Sequence, residues 1–161
     1  MFEISLKRAF FKQYCITVII ACWHFTCYAG AMRILLISKD KRLQSYIKDF
    51  GENCNASTII YNDEPNPIKI LSFYLSVQPS AIIVDDDYLT PNSVTFIESV
   101  RKVNQKTKII FTTSDSSIEL GKQISPLGIY YYIIKPIDER EFKELLDSLL
   151  ISKTKQYNQP L

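Results

Sequence analysis

The chain has 161 residues, of which 47% are hydrophobic and 22% charged, with only 4 Gly and 7 Pro. That balance fits one globular domain and excludes collagen-like, low-complexity and broadly disordered classes. Lys+Arg 19 against Asp+Glu 17 gives +2, too small an excess for a polyanion-binding field, so no nucleic acid partner is expected.

Residues 1–31 differ in kind from the rest. They hold Cys15, Cys22 and Cys27, the only Trp (Trp23) and the only His (His24), and Lys7, Arg8 and Lys12 against Glu3 account for the whole net charge. No charged residue occurs from Gln13 to Met32. Three readings fit this apolar extension. It is a secretory signal ending at Ala29-Gly30-Ala31, a membrane anchor of about 20 uncharged residues, or a mis-assigned start upstream of Met32. A strand pattern, Arg33-Ile-Leu-Leu-Ile37, begins directly after Met32 and would leave an anchor no linker, which favours the mis-assigned start. A membrane enters the account only if residues 13–32 are a real anchor. The body is otherwise expected to be cytoplasmic.

From Arg33 onward, short apolar runs alternate with amphipathic stretches. Strands are expected at 33–37, 57–61, 81–84, 108–112 and 130–134. Asp40 caps a helix over 41–50, with Leu43, Tyr46, Ile47 and Phe50 on one face and Gly51 as its stop. A second helix covers 66–78, with Ile68, Ile70, Leu71, Tyr74 and Leu75 as apolar positions and Pro79 beyond its end. A polar segment, Asp85 to Asn92, leads into a helix over 93–104, and a weaker helix covers 116–125. Asp138 caps the last helix, striped by Phe142, Leu145, Leu146, Leu149 and Leu150. The expected organisation is the extension 1–31, a domain over 32–152 and a frayed polar tail over 153–161.

Five strands alternating with five helices make an α/β protein: a five-stranded parallel, doubly wound sheet of flavodoxin-like (βα)5 form. Such sheets work at the carboxyl ends of their strands. Those ends are Ser38–Asp40, Asp85–Asp87, Thr113–Ser114 and Lys135–Pro136. Together they offer a carboxylate nucleophile, a hydroxyl donor and an ammonium, a set suited to phosphoryl chemistry on an aspartate. Pro136 fixes the backbone after the lysine and allows a cis bond there. Ser38-Lys39-Asp40-Lys41 contains no glycine, against a nucleotide- or flavin-binding loop. The lone Cys54 and the absence of His from the body leave nothing for a disulfide framework, a Cys/His zinc site or a triad.

Residues 32–151 resemble the receiver domain of bacterial two-component response regulators. The resemblance rests on Pro79-Ser-Ala-Ile-Ile-Val-Asp85, on Ser93 to Arg101 in register behind it, on Thr113-Ser114, on Lys135-Pro136, and on Tyr132 three residues before that lysine. It implies that Asp85 is the phosphoacceptor, that Thr113 and Lys135 act with it, and that Thr113 and Tyr132 form the switch. It further implies a histidine kinase or phosphotransfer protein as donor and an output protein reached through the face of the fourth helix, strand five and the last helix, where a homodimer could also form. No enzymatic activity is implied beyond autophosphorylation and self-dephosphorylation at Asp85. With only a short tail after residue 152, a stand-alone receiver is expected.

The sequence also departs from the pattern. The acidic pair that holds Mg2+ in that family reads Ser38-Lys39, leaving Asp40 and Asp85 as a weak candidate metal pair. Lys39 would either replace the metal's charge or pair with Asp85 and its neighbours. The usual proline four residues after the acceptor is Leu89, and the usual glycine before the next helix is Ser93. These departures support an alternative: a divergent receiver that acts as a phosphorylation-independent interaction domain, with Tyr130–Tyr132 in its contact surface.

Overall fold

The computed structural model describes residues 32–157 except Asn55. The apolar extension and its three readings lie outside the described residues. Five parallel strands, β1 (Arg33–Ile37), β2 (Ser57–Tyr61), β3 (Ala81–Asp85), β4 (Lys108–Thr113) and β5 (Tyr131–Ile134), form one sheet in the order β2-β1-β3-β4-β5. The helices are α1 (Lys41–Cys54), α2 (Pro67–Val77), a single turn α3 (Asp86–Leu89), α4 (Ser93–Val103), α5 (Ile118–Ile124) and α6 (Glu139–Tyr157). A 3-10 turn, Ser125–Leu127, extends α5.

Alternation along the strands builds two cores. Ile34, Leu36 and Ile83 face Leu43, Ile47 and Phe50 of α1 and Phe142, Leu146 and Leu149 of α6. Leu35, Ile37, Ile82 and Val84 face Ile70 and Tyr74 of α2, Phe96, Ile97 and Val100 of α4, and Ile124 of α5. Successive strand residues point to opposite faces, so a run such as Ala81-Ile-Ile-Val84, fully buried, must be covered on both. This is the doubly wound sheet the sequence pattern predicts.

Local differences have physical causes. Gly51 does not stop α1, which continues to Cys54. A Cβ at Gly51 would lie 2.7 Å from Thr58 Oγ1 and 3.2 Å from the Ala56 carbonyl oxygen, so the glycine permits close approach to β2. In α2 only Ile70 and Tyr74 are buried; Ile68 and Leu75 face outward. The polar segment after β3 contains the turn α3, whose Leu89 is fully buried. α5 is shorter than expected because Pro126 breaks it into the 3-10 turn. α6 runs on to Tyr157, past the start of the expected tail. Arg101, at the end of α4, donates to the carbonyls of Thr107, Leu127 and Gly128 and so ties the helix to the approaches of β4 and β5. Among the described residues no helix is long and apolar enough to cross a membrane.

Candidate functional site

Parallel order sets the site. β3 lies between β1 and β4, so its last residue, Asp85, is flanked by Ser38 after β1 and by the Thr113 end of β4, with Lys135 following β5. The carboxylate of Asp85 is buried and held on both oxygens. Ser38 Oγ donates to Oδ2 at 2.5 Å, and Lys135 Nζ donates to Oδ1 at 2.7 Å. The Lys135-Pro136 bond is cis, as is Thr90-Pro91.

The two following aspartates have separate duties. Asp86, also buried, accepts from Ser93 Oγ on Oδ1 and from Thr113 Oγ1 on Oδ2 at 3.0 Å. Asp87 accepts from Ser114 N (3.0 Å), Ser114 Oγ (2.6 Å) and Lys135 Nζ (2.9 Å). Burial pushes the Asp87 carboxyl up, but the Ser114 bonds and the Lys135 ammonium outweigh it and hold it below the ordinary aspartate range. Burial likewise pulls Lys135 down, and its bonds and attraction to Asp85 and Asp87 reverse that, leaving the ammonium harder to deprotonate than a free lysine.

Asp85 and Lys135, named from the sequence, are therefore in direct contact, whereas the Thr113 hydroxyl is directed to Asp86. Asp115 N donates to Thr113 Oγ1 at 2.9 Å, and Tyr132 Oη donates to the Asp115 carbonyl at 3.4 Å. The Tyr132 ring packs on Phe111, centroids 5.4 Å apart. Lys39 does not pair with Asp85 or its neighbours. It is exposed, with Nζ 5.5 Å from the centroid of the Tyr88 ring, and Ser38 makes the contact with Asp85 instead. Burial pushes the Tyr88 phenol up to about 12, and its hydroxyl donates to the Asp63 carbonyl. The roles of Ser38, Asp86 and Ser93 were not assigned from sequence. A hydroxyl at the end of strand one, beside the acceptor, was the readable signal for the first.

Asp40 and Asp85, the candidate metal pair, both lie against Lys135 Nζ, at 3.9 and 2.7 Å. Asp40 Oδ1 also caps α1 through Arg42 N. A divalent cation at these carboxylates would have to displace the ammonium from Asp85 and Asp87, and the positions that would add charge hold a hydroxyl and a second lysine. Mg2+ demands near-ideal oxygen coordination, and this donor set does not fit it.

No family model matches the chain. The response regulator receiver domain protein (CheY-like) of Methanospirillum hungatei JF-1 superposes with a TM-score of 0.66 at 20% identity, covering 78% of this chain and 98% of that one. The signal receiver domain of the putative Luxo repressor protein of Vibrio parahaemolyticus gives 0.65 at 17% identity, covering 78% and 95%. The described residues have a receiver fold. In sequence, the chain is 26% identical over 117 residues to the probable C4-dicarboxylate response regulator DctR of Priestia megaterium, covering 73% of this chain and 51% of that protein. The chain spans about half the length of that curated relative.

Proposed function

We propose that residues 32–152 are a response-regulator receiver module that accepts a phosphoryl group on Asp85 and signals through a partner protein. The observation that carries the reading is the 2.7 Å contact between Asp85, at the end of β3, and Lys135, which follows β5 on the far side of β4. A carboxylate oxygen of Asp85 attacks the phosphorus of a phosphohistidine-type donor. The O–P bond forms as the N–P bond breaks, and the leaving nitrogen keeps the electron pair. Lys135 turns from carboxylate to phosphoryl oxygens and neutralises their charge, and the Thr113 hydroxyl supplies a donor from β4. The donor is a histidine kinase or phosphotransfer protein, and the output passes through α5, β5 and α6, where Tyr130, Tyr131, Ile134 and Ile118 are exposed.

A second reading is favoured by one observation: Ser38 Oγ occupies Asp85 Oδ2 where the family's pattern has an acidic residue. On that reading the site is a structural clamp and the module binds its partner without phosphorylation. Incubating the full chain with a small-molecule phosphodonor, with and without Mg2+, and weighing it intact separates the two. Gain of one phosphoryl group, lost in Asp85→Ala, is expected. No gain from folded protein leaves the interaction-module reading.

A further inference from the structure

Asp86 is buried (6% exposed), follows the acceptor directly, and has no part in the transfer described above. Both of its oxygens are nonetheless committed, Oδ1 to Ser93 at the start of α4 and Oδ2 to Thr113 at the end of β4. From Thr113 the bonds continue through the backbone of Asp115 to the Tyr132 hydroxyl. A hydroxyl has one proton to donate. While Thr113 gives it to Asp86, it cannot give it to a phosphoryl oxygen on Asp85.

We infer that Asp86 is a positioning residue: it tethers the Thr113 hydroxyl, and through Asp115 the Tyr132 ring, in the arrangement of the unphosphorylated chain. Phosphorylation then has to draw the Thr113 proton from one aspartate to its neighbour. Asp86 thereby sets the bias of the switch toward its resting state. The inference rests on Asp85 as the acceptor.

The test uses the full chain, with Asp86→Ala and Asp86→Asn alone and in a Thr113→Val background. The Asn oxygen still accepts from Thr113 and its amide donates to Ser93, so this variant removes the charge and keeps the tether. Three-bond couplings to the Thr113 methyl report its rotamer by NMR without any phosphorylation. Intact mass after a limiting dose of small-molecule phosphodonor reports the phosphorylated-to-free ratio. Asp86→Ala should average the Thr113 rotamer and raise that ratio about fivefold over Asp86→Asn, the worth of one neutral hydrogen bond. The gain should vanish with Thr113→Val. A fixed Thr113 rotamer in Asp86→Ala, an equal gain in Asp86→Asn, or a gain that survives Thr113→Val overturns the tether. If Asp86→Ala does not fold, Asp86→Leu fills the buried space and carries the same comparison. A wild-type chain that gains no phosphoryl group counts against Asp85 as acceptor, and the rotamer arm still decides the tether.

Discussion

Three consecutive aspartates, chemically identical, end in three different environments. Asp85 is held by Ser38 and Lys135, Asp86 by Ser93 and Thr113, and Asp87 by Ser114 and Lys135. The acidic run was visible in the sequence, and so was the match of Asp85, Thr113 and Lys135 to a phosphoryl-transfer set. The division of labour was not, because every partner except Ser93 comes from a segment distant in the chain. Lys39 illustrates the limit. Its charge pointed to the acidic cluster, but an exposed lysine gains by laying its ammonium over an aromatic ring and keeping its hydration.

Two predictions belong to this scale. Asp87 has a folded pKa below its unfolded value, so its contribution is present above the unfolded value and is lost as pH falls through the folded one. Urea midpoints measured from about pH 6 to about pH 3 should therefore fall less steeply in Asp87→Asn than in the wild type. Equal slopes would contradict the assigned bonds. The second concerns the metal. The Ser38→Asp, Lys39→Asp double variant should gain Mg2+-dependent stability, about 1.4 kcal/mol at a Mg2+ concentration about ten times its Kd, by thermal melting of the full chain. The wild type should show no such shift.

Elements were more legible than their ends. Apolar runs of three to five residues marked the strands, with longer ones in β1 and β3, where a parallel strand covered on both faces tolerates no polar interruption. Helix ends depend on neighbours that a single stretch does not reveal. Gly51 reads as a stop, yet it lies inside α1 because β2 passes too close for a side chain. Gly51→Ala should destabilise the chain by about 1–2 kcal/mol in urea unfolding, the overpacking cost exceeding the helix-propensity gain. Thr58→Ala removes the closest atoms, so the penalty should shrink in that background. Additive effects would mean that β2 is not what constrains the site.

At the scale of the molecule, sheet order explains why the candidate residues meet. With β1 and β4 flanking β3, the ends of four strands converge on one edge, and residues 38, 85, 113 and 135 become neighbours. The alternation of strands and helices predicts that edge. It does not predict which side chain there takes which partner, since hydroxyl and carboxylate orientations follow from packing. The central claim is that Asp85, and neither of its two neighbours, takes the phosphoryl group. Borohydride reduction of the full chain after treatment with a small-molecule phosphodonor converts an aspartyl phosphate to homoserine, which peptide mass spectrometry assigns to one position. Homoserine at position 85 alone is the predicted result; homoserine at 86 or 87, or none from folded protein, would contradict it.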